Sequence, residues 1–62
     1  MKNNVKSGRT ELGLTVRKLA DISGVPPSTI SEIETGKREP GVGAAILLAR
    51  VFRCNVDWLI IV

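Results

Sequence analysis

The chain has no histidine and no tyrosine, and only one cysteine, one tryptophan and one phenylalanine. Without histidine, and with Cys54 as the single thiol, there is no transition-metal ligand set and no nucleophile–base pair of the Ser–His or Cys–His kind. An enzyme is therefore not expected, and neither is a metal or cofactor. A lone cysteine closes no intrachain disulfide, and no charged start followed by an apolar leader is present. The apolar end, Leu59 to Val62, is far too short to span a bilayer. These absences point to a cytoplasmic protein with no membrane partner and no small-molecule substrate. Strand signals are weak too, since no alternating run is bounded by a hairpin turn pair. The chain reads as all-α. With aromatics scarce, Leu, Ile, Val and Ala must build its core.

Sixty-two residues make one domain, residues 1–62. A chain of this size buries only about 60% of the surface its unfolded form exposes, so its stability margin is thin. A hydrophobic content of 44% argues against disorder. The net charge of +3 is a mild bias toward a polyanion, and equally a solubility charge.

Punctuation along the chain predicts five helices without a linker. The first covers Asn4 to Leu12 and ends at Gly13. Thr15 caps the second, Val16 to Ser23, and Lys18 stands where a capping box would place Glu or Gln. Gly24 supplies a left-handed turn. The third starts near Pro27, a residue suited to a first helical position, and ends at Gly36. Pro40 opens the way to the fourth, Val42 to Phe52. Asn55 caps a short fifth helix running through Trp58.

The most informative stretch is Thr15 to Glu34, "TVRKLADISGVPPSTISEIE". Leu19 and Ala20 before Gly24, and Val25, Ile30 and Ile33 after it, are spaced to pack two helices across a tight turn. Ser28 and Glu32 share the opposite face, with Thr29 and Ser31 beside them. Such side chains reach base edges: Ser and Thr donate or accept, and Glu accepts from a cytosine amino group. They are equally what a helix start prefers, with Glu32 on a solvated face. Composition leaves both readings open.

The ordered set Arg9; Gly13, Leu14, Thr15; Leu19, Ala20; Gly24, Val25; Ser28, Thr29, Ile30, Ser31; Ile33, Glu34; Gly36, Lys37; and Pro40 resembles the phage lambda-repressor and Cro-like, XRE-type helix-turn-helix family. "NVDWLI" is similar to that family's last helix, so the likeness covers nearly the whole chain. It implies a five-helix DNA-binding domain that acts as a dimer on a palindromic operator, with the third helix in the major groove of double-stranded DNA. Carried over by position, Pro27, Ser28 and Glu32 read bases, with Thr29 and Ser31 as neighbours; proline offers only apolar contact. Thr15 and Val16 meet a phosphate through the amino end of the second helix. Thr35, Lys37 and Arg38 grip the backbone, with Arg17 as a further contact. Arg9 and Glu34 match a structural ion pair joining the first and third helices.

The chain departs from the family at four places. Val16 replaces a frequent Gln, leaving only backbone donors. Gly8 replaces a large apolar residue, at a helix cost of about 1 kcal/mol against Ala. Arg53 stands where the fourth helix usually ends in Gly. Glu32 puts an acid on the DNA face, which favours a narrow set of base contacts over general affinity. A second surface is expected from the fourth helix. Val42, Ala45, Leu48, Ala49 and Phe52 form its inward stripe, which turns Ile46, Leu47 and Val51 partly outward. Leu47, Val51, Trp58, Ile60, Ile61 and Val62 then form a homodimer interface, unless some of them cover core left thin by Gly8. The expected role is a transcriptional repressor. The alternatives are an antitoxin or a restriction-system controller with this fold, or a protein-interaction module that binds no DNA.

Overall fold

Turn chemistry divides the chain where the sequence places its glycines, its threonine cap and its prolines. The computed structural model describes residues 3–60, and its helices are α1 (Val5–Glu11), α2 (Val16–Ser23), α3 (Pro27–Glu34), α4 (Val42–Phe52) and α5 (Val56–Leu59). Thr15 has extended backbone, and its hydroxyl oxygen accepts the Lys18 amide at 3.0 Å, which satisfies one of the unpaired donors of the first turn. Asn55 does the same for α5 by accepting the Trp58 amide at 2.9 Å. Gly24 lies at φ 82°, so α2 stops and the chain turns into α3 without a side-chain penalty.

Among the described residues, the one left-handed position not occupied by glycine is Arg53, at φ 55° and ψ 42°. The turn after α4 keeps the shape glycine would give it, and the chain bears the strain of a β-carbon in that region.

The core consists of Val5, Leu19, Ala20, Val25, Ile30, Ile33, Ala45, Leu48, Ala49 and Leu59. α2 packs on α3 and α4, α1 packs on α3 and α4, and α5 closes against α4. Every residue expected to join α2 to α3 is buried. The expected inward stripe of α4 needs one correction: Val42 is 79% exposed. It stands one turn ahead of Ala45, where burial of this helix begins.

Gly8 is buried, and a β-carbon there would meet the Phe52 ring at 3.2 Å. The aromatic ring thus occupies the volume that a large side chain at position 8 would fill. Among the described residues there are no strands, only an isolated antiparallel bridge between Asn3 and Ile60. Around it, the Asn4 amide donates to the Leu59 carbonyl at 2.9 Å and Asn4 Nδ2 to the Trp58 carbonyl at 2.6 Å. Asn3 Nδ2 donates to the carbonyl of Ile33 in α3 at 2.9 Å, while its Oδ1 accepts the Val5 amide at 3.1 Å. Both ends of the described chain are thereby fastened to each other and to α3.

Candidate nucleic-acid interface

α3 is short and two-sided. Ile30 and Ile33 are fully buried, while Pro27, Ser28 and Ser31 are exposed, and Thr29 and Glu32 are partly exposed. Pro27 at the first helical position has no amide to leave unpaired. The face therefore carries three hydroxyl-bearing side chains, Ser28, Thr29 and Ser31, and one carboxylate, chemistry able to meet base edges.

Two ion pairs fix this helix and its exit. Arg9 reaches across from α1 to Glu34: Nε donates to one carboxylate oxygen at 2.8 Å and Nη2 to the other at 3.1 Å. Nη1 donates to the Leu14 carbonyl at 2.9 Å. The side chains are 14% and 8% exposed. The hydrogen bond to Glu34 raises the Arg9 pKa above the ordinary arginine value, and the carboxylate's charge adds to it against the lowering effect of desolvation. The fork thus ties α1, the turn before α2 and the end of α3 into one unit. The planar guanidinium suits it and an ammonium does not.

The second pair joins Glu32 to Arg38 at 3.3 Å, with side chains 43% and 55% exposed respectively. Its geometry follows from the end of α3. Gly36, at φ 82°, donates to the Ile33 carbonyl at 3.1 Å, and Lys37 donates to the Glu32 carbonyl at 2.9 Å. These are the two bonds of a Schellman turn. The Arg38 amide also donates to the Glu32 carbonyl, at 3.3 Å.

Thr35, expected at a phosphate, instead directs its hydroxyl at the Ser31 and Glu32 carbonyls, at 3.0 and 3.2 Å. Its one proton serves the helix end, and donation to a phosphate requires the hydroxyl to rotate away. Lys37 and Arg17 are exposed. At the start of α2, Val16 packs partly against the core, and a first-turn amide has no partner within its own helix.

The residues expected at a second surface separate into groups. Leu47 and Trp58 are 38% and 43% exposed, and Ile46 is 41% exposed. Val51 and Ile60 are half-buried against this chain's own core, so they offer a partner less than the pattern of α4 and the tail implies. Ile61 and Val62 lie outside the described residues. Sequence reasoning missed Leu12, which is 53% exposed and lines an open cleft of about 360 Å³ with Gly8, Glu11, Phe52, Cys54 and Trp58. It also missed Asn3 and Asn4. No local pattern marks their long-range bonds, because those partners are Trp58, Leu59 and, in α3, Ile33.

A helix-turn-helix family model matches residues 5–59. The chain is 34% identical over 61 residues to an uncharacterized HTH-type transcriptional regulator of Archaeoglobus fulgidus, with 98% of this chain and 87% of the relative covered. A second uncharacterized HTH-type transcriptional regulator of the same organism is 33% identical over 57 residues, covering 92% of this chain and 80% of the relative. The α2–turn–α3 unit, the five-helix order and these likenesses agree: the chain belongs to the lambda-repressor-like, XRE-type helix-turn-helix family of DNA-binding transcriptional regulators.

Proposed function

We propose that the protein is a sequence-specific transcriptional repressor, acting in the cytoplasm as a homodimer on a palindromic operator, with α3 in the major groove. One observation carries this reading. α3 buries Ile30 and Ile33 and turns Ser28, Ser31 and Glu32 outward, so its polar face is free for base edges while its apolar face fixes the helix. Thr15 and the amides of Val16 and Arg17 meet one phosphate at the start of α2, where the helix dipole favours an anion. Lys37 meets another. Occupancy of the operator blocks polymerase.

Support for a dimer is the apolar exposure of Leu47 and Trp58, with the exposed edges of Val51 and Ile60 beside them. Covering each remaining apolar face contributes about 1 kcal/mol. A two-fold pair sets two recognition helices about 34 Å apart, one turn of DNA.

The test is selection of bound sequences from a random DNA pool, followed by affinities across a salt series. Repeated half-sites one turn apart and a steep salt slope are expected. Ser28→Ala should change base preference, and Lys37→Ala should weaken all sequences alike and lower the slope by about 1. A flat slope favours the interaction module instead. Sedimentation showing only monomer at high protein concentration defeats the dimer.

A further inference from the structure

Glu32 is an acid placed where the chain must approach phosphates, and its partner Arg38 is one of the few cations beside it. We propose that Glu32 and Arg38 read DNA as one unit, with Arg38 acting as a positioning residue for the Glu32 carboxylate rather than as a phosphate clamp. This rests on α3 entering the major groove. The backbone carries the case. The Glu32 carbonyl accepts the amides of both Lys37 and Arg38, at 2.9 and 3.3 Å, and the Thr35 hydroxyl at 3.2 Å. The residue that offers the carboxylate is thus the residue to which the following turn is fastened. That turn delivers the Arg38 guanidinium to the same carboxylate at 3.3 Å.

Two consequences follow. One carboxylate oxygen lies beside the guanidinium, which leaves the other lone pairs to accept from a donor such as the amino group of cytosine or adenine. The two charges cancel, so the acid does not repel the backbone and Arg38 adds no phosphate contact. The unit supplies selectivity with almost no general affinity. Lys37, exposed and without this constraint, is left as the cation of the turn that grips phosphate.

The experiment is a double-substitution cycle on the full chain, Glu32→Gln and Arg38→Ala alone and together, read by salt-dependent affinity and by selection from a random pool. Both side chains are half-exposed, so unchanged melting curves serve as the folding control. If the pair is one unit, Glu32→Gln releases Arg38 to a phosphate and steepens the slope of log affinity against log salt by about 0.9. The double variant returns to the wild-type slope. Arg38→Ala alone weakens the preference for an amino-bearing base opposite Glu32 by up to about fivefold, and has no such effect once Glu32→Gln is present. A wild-type slope for Glu32→Gln overturns the proposal, and an Arg38→Ala slope shallower than wild type by about 0.9 overturns it in favour of an independent phosphate clamp. If the unsubstituted protein shows no salt-dependent DNA binding at all, it is the major-groove reading that has failed.

Discussion

Replacing Arg9 by alanine removes the guanidinium but leaves the Glu34 carboxylate, 8% exposed, in place. The side chain gives up two bonds to the carboxylate and one to the Leu14 carbonyl. Breaking one side of a buried pair costs about 3–5 kcal/mol, because the surviving charge stays buried without compensation. A domain of this length holds roughly 3–9 kcal/mol in total. Arg9→Ala should therefore lower the melting temperature by at least about 12 °C, at about 4–8 °C per kcal/mol for a domain of this size. Circular dichroism melts and urea titrations measure it. Arg9→Lys keeps the charge but loses the fork, and should fall between alanine and wild type. Replacing both partners, Arg9→Met with Glu34→Leu, should recover most of the loss, because the penalty lies in the unpaired charge. Arginine's raised pKa means its share of this stability is complete below the ordinary arginine value and is lost as pH rises from there through the folded one. Arg9 thus adds no slope near neutrality. A fall of under about 3 °C for Arg9→Ala would show that the pair does not hold α3 to α1.

Arg53→Gly should stabilise the fold by about 0.5–1 kcal/mol, since relief of left-handed strain exceeds glycine's extra freedom in the unfolded chain; an unchanged or lower melting temperature would contradict the strain. Gly8→Ala gains about 1 kcal/mol of helix propensity but pushes on the Phe52 ring at 3.2 Å. A net loss is expected in the wild-type background and a gain when Phe52→Leu is also present, as read from a cycle of melts. Asn3→Ala removes its bonds to the Ile33 carbonyl and from the Val5 amide and should cost about 1–3 kcal/mol, with faster amide exchange at the end of α3 as the companion measurement.

The helices were legible because their boundaries rest on local chemistry. Thr15, Gly24, Gly36 and Asn55 each act within a few residues of themselves, and α2 and α4 span the residues that their caps define. Arg9 and Glu34 were legible only through the family's pattern, since nothing local ties residues so far apart. What stayed hidden depends on where distant elements meet. Phe52 completes a core that looks thin at Gly8 in the sequence. Val42 fits the apolar period of α4 yet projects beyond the point where its neighbours cover that helix. The bonds from Asn4 to Trp58 and Leu59 and from Asn3 to Ile33 exist because distant parts of the described chain come together, a property no window of residues contains. At the interface, the exposure of Ser28 follows from the 3.6-residue period, whereas the pairing of Glu32 with Arg38 depends on the left-handed turn at Gly36.

Glu32 and Glu34 show how one chemistry takes two roles on a single helix. Residues two apart on a helix do not face each other, so α3 turns one carboxylate toward Arg9 and the other away from the core. Burial then decides their worth. The inward pair, 14% and 8% exposed and forked, contributes to holding the helix and is costly to break from one side. The outward pair, about half exposed, contributes roughly 0–1 kcal/mol to folding, so it can shift toward a base as a unit without endangering the fold. A residue that must adjust to a base each time DNA binds has to sit in the second situation. A residue that must hold the reading face still while this happens has to sit in the first. The stability of α3 and its freedom to read are therefore separable, and substitutions at Glu34 should act on melting before they act on base preference, with the reverse order at Glu32.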